Sequence, residues 1–180
     1  MNKHFVALVC MLMVTPAAFA RVVNAAPEQL TLEYKASVKA PPAKAWAALI
    51  DVVHWWSADH TYSGNAGNLA LDARAGGCWC EKLADRGSVL HMTVLMAMPG
   101  KMLRLGGGLG PLQSAPVNGV MTWSIKPGDS GSEIAMNYAV AGPMPGGLDK
   151  ISAGVDQVLS EQFDRLQRLI DTGSAAAARK

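Results

Sequence analysis

The longest amphipathic pattern in the chain runs from Leu148 to Ile170. At ~100° per residue, Leu148, Ile151, Val155, Val158, Leu159, Phe163, Leu166, Leu169 and Ile170 gather on one face, and Asp149, Asp156, Ser160, Asp164 and Asp171 take the other. Glu161 and Arg165, and Asp164 and Arg168, set the acid four residues before the base, the better orientation for such pairs. Gly173 stands where a left-handed residue ends a helix. A helix this apolar on one side needs a cover. The preceding segments supply one, because they alternate with period two, as strands do. Gln29 to Val38, Cys78 to Leu83, Ser88 to Met98, Met102 to Leu105, Val117 to Lys126 and Ser132 to Val140 all read this way, with a short strand at Leu69 and Leu71. Pro41-Pro42 open a helix on which Trp46, Leu49, Ile50 and Val53 recur, His54-Trp55-Trp56 close it, and Ser57 to Asn68 read as a loop or broken helix. This order predicts one α+β domain, an antiparallel sheet with helices on one face. A curved sheet wrapped around a single helix leaves a gap between them, the ordinary place for a ligand.

Asp85-Arg86-Gly87 fits a three-residue hairpin loop with glycine in the left-handed position. That loop sets Ala84 opposite Ser88, Glu81 opposite His91, Cys80 opposite Met92 and Trp79 opposite Thr93. The face bearing Cys78, Cys80, Leu90, Met92, Val94, Met96 and Met98 is the more apolar and is expected to point inward. Glu81 and His91 are then an ordinary cross-strand contact. On the other face assignment they are a carboxylate-held imidazole in the cavity, suited to acid–base work. The last hairpin, around Pro127-Gly128-Asp129, aligns Met121, Trp123 and Ile125 with Ile134, Met136, Tyr138 and Val140.

The first residues change the picture of compartment. Lys3 and His4 precede an apolar run from Phe5 to Val14, and Ala18-Phe19-Ala20 ends it, the pattern of a secretory signal peptide. The run falls short of the ~20 residues a membrane span needs. Residues 1–20 are therefore expected to be a leader, with 21–172 the domain and 173–180 a flexible tail, in a periplasmic or secreted protein without a stable membrane span. A second small-residue site, Val23-Asn24-Ala25, follows closely. Sixteen lysines and arginines against fourteen acids give a net charge of +2. Nothing in that balance points to nucleic acid. Cys78 and Cys80 would then meet an oxidising compartment. In a regular strand their Cα atoms lie ~6.5–7 Å apart, at the upper edge for a disulfide. Buried thiols are the favoured reading, and a bridge would need a local kink.

Several strings resemble a known superfamily. They are Ala40-Pro41-Pro42-Ala43-Lys44-Ala45-Trp46, the His54-Trp55-Trp56 cluster, Gly76-Gly77-Cys78-Trp79, Leu103-Arg104-Leu105 before the glycines, and the long last helix. Together with the element order they resemble the START-like, or Bet v 1-like (SRPBCC), group, which includes polyketide cyclases and Hsp90-ATPase-activator-like proteins. The resemblance implies a helix-grip fold, a curved antiparallel sheet around a long C-terminal helix. It also implies a cavity for lipids, sterols or aromatic compounds, with cyclisation or dehydration in some members. None of the strings is a catalytic signature, so no active residue carries over.

Candidate site residues follow from chemistry. Trp55, Trp56, His60, Tyr62, Trp123 and Tyr138 combine aromatic area with polar tips, which can line a pocket or fill a core. Gln162 interrupts the apolar stripe, and a buried amide must find partners, either a strand-end carbonyl or a guest. Gly154, mid-helix, costs ~1 kcal/mol against alanine and reads as a point of close approach. Gly106-Gly107-Gly108-Leu109-Gly110 lacks the lysine and hydroxyl of a phosphate loop and reads as a cavity rim. No zinc spacing and no nucleophile elbow occur, so neither metal nor cofactor is expected. Three functions remain: a binding protein for a small hydrophobic or aromatic molecule; a cyclase- or dehydratase-like enzyme using Glu81 and His91; or a structural domain with a filled core.

Overall fold

The computed structural model describes residues 21–177; the expected leader, residues 1–20, lies outside them. Eight antiparallel strands form one sheet: β1 (Arg21–Ala26), β2 (Gln29–Val38), β3 (Leu69–Leu71), β4 (Cys78–Lys82), β5 (Ser88–Met98), β6 (Met102–Gly106), β7 (Asn118–Gly128) and β8 (Gly131–Ala141). Their spatial order is β1-β2-β8-β7-β6-β5-β4-β3. Two α-helices, α1 (Pro42–Ile50) and α2 (Leu148–Thr172), complete the frame. This is the expected α+β helix-grip architecture. Strand β1 was not expected; it pairs with β2 from Arg21↔Glu33 to Ala26↔Gln29.

The inner face of β2, β7 and β8 follows the alternation. Leu30, Leu32 and Tyr34 are buried beside Ile134, Met136, Tyr138 and Val140, and Met121, Trp123 and Ile125 complete the floor. Leu159 at the middle of α2, and Phe163 and Leu166 in its second half, dock here. The Phe163 ring stacks on Trp123 at 5.8 Å and on Tyr34 at 5.6 Å. Polar contacts fix the helix lengthwise. The Tyr34 hydroxyl donates to Asp156 Oδ1 at 2.7 Å, and the Lys39 N–H donates to Asp171 Oδ1 at 2.7 Å. Burial, the hydrogen bond to Asp156 and that carboxylate's charge all push the Tyr34 pKa upward, so it stays a neutral donor. Gly173 ends α2 in the left-handed conformation, as expected. The tail does not fray at once: Ala175 is buried and its carbonyl accepts from Arg168 Nε.

The β4–β5 hairpin departs from expectation. Its loop comes one residue early, at Ala84–Arg86, and the left-handed residues are Asp85 and Arg86 rather than Gly87. Aspartate tolerates that conformation. Gly87 instead serves close approach, since a Cβ there would lie 3.1 Å from the Ala84 carbonyl and from Leu83 Cβ. The ladder therefore closes at Lys82↔Ser88, with Glu81↔Val89 and Cys80↔Leu90. A bulge then leaves His91 as an extra residue, and pairing resumes at Trp79↔Met92 and Cys78↔Thr93. A second bulge at Leu95 precedes Met96↔Arg104. Each bulge switches the parity of inward positions. Met92 and Val94 are buried as expected, but Leu90, Met96 and Met98 are exposed on the outer face. Cys78 and Cys80 also lie on that face, while Trp79 and Glu81 point inward. The expected thiols are a disulfide, with Cα atoms 5.5 Å apart. The kink it requires is present at the same step of the ladder as the His91 bulge.

Candidate functional site

A cavity of about 580 Å³ opens between the first half of α2, the segment after α1, and the glycine-rich connection. Its helical wall is Ile151, Gly154, Val155, Val158 and Leu159, with Lys150 at the rim. Trp56, His60, Thr61 and Tyr62 form the second wall, Leu109 to Pro111 the third, and His91 faces it from the sheet. The apolar face of α2 is thus used in two ways. Phe163 and Leu166 are sealed in the core, whereas Ile151, Val155 and Val158 stay half-buried above open space. Gly154 belongs to this wall, and a Cβ built on it meets nothing within 4 Å. It is not a point of close packing.

One buried and three part-buried hydrogen bonds hold the second wall in place. Gln162 Oε1 accepts from the Ser57 N–H at 2.7 Å, and Arg165 Nε donates to the Trp55 carbonyl at 2.7 Å. The His60 ring meets Glu161 at 3.2 Å, and Trp56 Nε1 donates to the His60 carbonyl at 2.9 Å. Gln162 therefore serves a loop N–H, neither a strand-end carbonyl nor the cavity lining. Its Nε2, like Trp79 Nε1, is buried without a partner among the described residues. The third wall hangs on Tyr138, whose hydroxyl donates to the Gly107 carbonyl at 3.1 Å and accepts from the Leu109 N–H at 3.2 Å. Tyr62, 56 % exposed, reaches across the mouth to Gln113 Oε1 at 3.2 Å.

Glu81 and His91 are brought together, although they are not opposite each other in the ladder. The bulge turns the imidazole inward, and its Nε2 lies 2.9 Å from Glu81 Oε2. Both residues are buried, at 1 % and 7 % exposure. The expectation of an ordinary cross-strand contact on an outer face is thus corrected. Glu81 also accepts the N–H groups of Tyr62 and Ser63. Burial pushes its carboxyl pKa up, but these donors and His91 outweigh it and hold the pKa below the usual value. A carboxylate accepting two amides requires Nε2 of His91 to be the donor. In the neutral ring Nδ1 then carries the lone pair, and it makes no hydrogen bond among the described residues.

The sequence candidates divide accordingly. Trp56, His60, Tyr62 and His91 line one cavity. Trp55, Trp123, Tyr138 and Gln162 stand behind it. Trp55 packs edge-on to Trp123 at 5.9 Å and donates through Nε1 to the Leu49 carbonyl. Lining residues not anticipated as site residues include Lys150, Ile151, Gly154, Val155, Val158 and Pro111. Their only signal was the helical stripe and the glycine-rich rim.

Residues 29–171 match the family described as polyketide cyclase/dehydrase and lipid transport. The chain belongs to that family. It is also similar to solved structures. An uncharacterised protein from Rhizobium leguminosarum is 20% identical at a TM-score of 0.58, over 79% of this chain and 95% of that one. A protein from Mesorhizobium loti is 19% identical at 0.56, over 77% and 95%. A Staphylococcus aureus protein of unknown function is 13% identical at 0.58, over 81% and 96%. At these identities the likeness shows the fold alone. No curated protein matches the chain. Among the described residues no helix is long and apolar enough to cross a membrane.

Proposed function

We propose that this domain is a binding protein that encloses a small hydrophobic or aromatic molecule between the first half of α2 and the Trp56–Tyr62 and Leu109–Pro111 segments. One observation carries the reading. The helix leaves Ile151, Val155 and Val158 only half-buried beside about 580 Å³ of open space. A volume of that size falls within the ~300–1,000 Å³ of ordinary ligand pockets, and leaving such residues half-wet forgoes burial of ~25 cal/mol per Å². A guest recovers that loss. The secreted or periplasmic compartment rests on the charge and apolar pattern of residues 1–20. Native mass spectrometry of the purified full chain tests the reading. A bound small molecule, or uptake of the neutral apolar probe N-phenyl-1-naphthylamine, supports it; no guest and no uptake refutes it.

A second reading has its own support. His91 lines the cavity with Glu81 ionised behind it, the arrangement of a general base whose imidazole is oriented by a carboxylate. In that reading the pair acts on the bound guest in a cyclase- or dehydratase-like reaction. Turnover of a cavity-bound carbonyl compound that disappears in His91→Phe, with probe affinity retained, separates this enzyme from a carrier.

A further inference from the structure

The disulfide and the His91 bulge occupy one step of the β4–β5 ladder. On β4, Cys78 and Cys80 are drawn to a Cα separation of 5.5 Å, against ~6.5–7 Å for alternate residues of a regular strand. On β5, the facing residues are Thr93 and Leu90, with Met92 opposite Trp79 and His91 left over. A strand contracted on its outer face is matched by a partner carrying one residue too many. Remove the bulge while keeping Cys78↔Thr93 and Trp79↔Met92, and the ladder continues as Cys80 opposite His91 and Glu81 opposite Leu90. Alternation then turns His91 outward and Leu90 inward. The Glu81–His91 contact is lost, and the cavity exchanges an imidazole for an isobutyl group.

We propose that the Cys78–Cys80 bridge is a reversible redox latch that determines whether His91 faces the cavity. The inference rests on the cavity being the binding site. Both cysteines are half-buried on the outer face, and their neighbours there include Ala70 and Leu90, both exposed. A dithiol reductant can therefore reach them. Its thiolate attacks one sulfur to give a mixed disulfide, and its second thiol displaces the cysteine. Two electrons and two protons pass to Cys78 and Cys80, and the reductant leaves as a disulfide. Freed β4 returns to the regular rise, the bulge closes, and Tyr62 and Ser63 keep Glu81 while His91 leaves it. The outer wall and the guest site are thereby coupled, and ordinary coupling between sites amounts to about 5–150-fold in affinity.

The test reduces the full chain with dithiothreitol and counts alkyl groups on the peptide carrying Cys78 and Cys80. N-phenyl-1-naphthylamine affinity and the His91 ring signals by NMR are recorded before reduction, after it, and after reoxidation. The expected result is a change in probe affinity within that range, with His91 signals that move on reduction and return on reoxidation. The Cys78→Ser/Cys80→Ser variant should match the reduced protein. Unchanged affinity and unchanged His91 signals, with both thiols alkylated, overturn the latch. Loss of far-UV circular dichroism on reduction overturns it as well, because the bridge would then hold the fold and not a wall. If neither state takes up the probe, the cavity reading fails by itself; moving His91 signals then still support the latch, and static ones overturn it.

Discussion

Gly154 gives the sharpest mutational prediction, because stability and binding should move in opposite directions. A Cβ at this position meets nothing within 4 Å, so alanine enters without strain. It recovers the helix propensity that glycine forgoes, ~0.8–1 kcal/mol, which raises Tm by roughly 2–4 °C in a domain of this size. One methyl leaves most of the cavity open, and probe affinity should change by less than about threefold, ~0.6 kcal/mol. Phenylalanine goes further. If half of its ~200 Å² is covered by Val158 on the same wall and Trp56 across the cavity, burial contributes about 2–3 kcal/mol at ~25 cal/mol per Å². Ordering the side chain takes back ~1 kcal/mol. Gly154→Phe should therefore be about 1–2 kcal/mol more stable than wild type while binding N-phenyl-1-naphthylamine at least about tenfold more weakly, a loss of ~1.4 kcal/mol. Urea unfolding and fluorescence titration measure the two quantities. A phenylalanine variant that is destabilised, or that takes up the probe as wild type does, would refute the claim that the helix overhangs usable space.

Three further outcomes are expected. Gln162→Leu leaves the buried Ser57 N–H without its acceptor and should cost about 1–3 kcal/mol, reduced by removal of the unpartnered Nε2; a neutral result in urea unfolding would mean that the amide does not hold the Ser57 loop. Tyr34→Phe deletes a donor to the Asp156 carboxylate, worth ~1.5–3 kcal/mol for a bond to a charged group, and should show as faster hydrogen exchange in α2. Glu81 ionises below its ordinary value when folded, so its stabilisation is full above the unfolded pKa of about 4.5 and fades as pH falls through the lower folded value. Glu81→Gln should therefore remove part of the stability difference between pH 6 and pH 3, and an unaltered acid limb would contradict the assignment.

Period and stripe carried most of the fold into view. The 3.6-residue stripe from Leu148 to Ile170 locates α2 almost to its ends, and strict alternation in β7 and β8 places the large apolar inward residues of the last hairpin, though not the buried Gly119 and Ser132. The β4–β5 hairpin was misread for a definite reason. Positive φ at Asp85 and Arg86 moved the loop by one residue, and each of the two bulges inverted parity. Alternation has no memory across a bulge, so the pattern assigns Leu90, Met96 and Met98 to the interior although all three are exposed. The same bulge brought Glu81 and His91 into contact by a route the regular register does not contain. The cysteine bridge was missed because ideal strand geometry was applied to a kinked strand. Within the site, aromatic residues stood out by type but not by depth. Trp55 and Trp123 are core, whereas Trp56 and Tyr62 meet the cavity, and nothing in local pattern distinguishes adjacent tryptophans whose roles are set by tertiary packing.

Helix α2 seals the core with Phe163 and Leu166 and is proposed to overhang a guest site with Ile151, Val155 and Val158. Methyl-resolved NMR during a titration with N-phenyl-1-naphthylamine tests it most directly. Saturable shifts are expected at Ile151, Val155, Val158 and Leu159 while Leu30 and Leu166 stay still. Shifts confined to the exposed outer-face residues Leu90, Leu95, Met96 and Met98, or none at saturation, would contradict it.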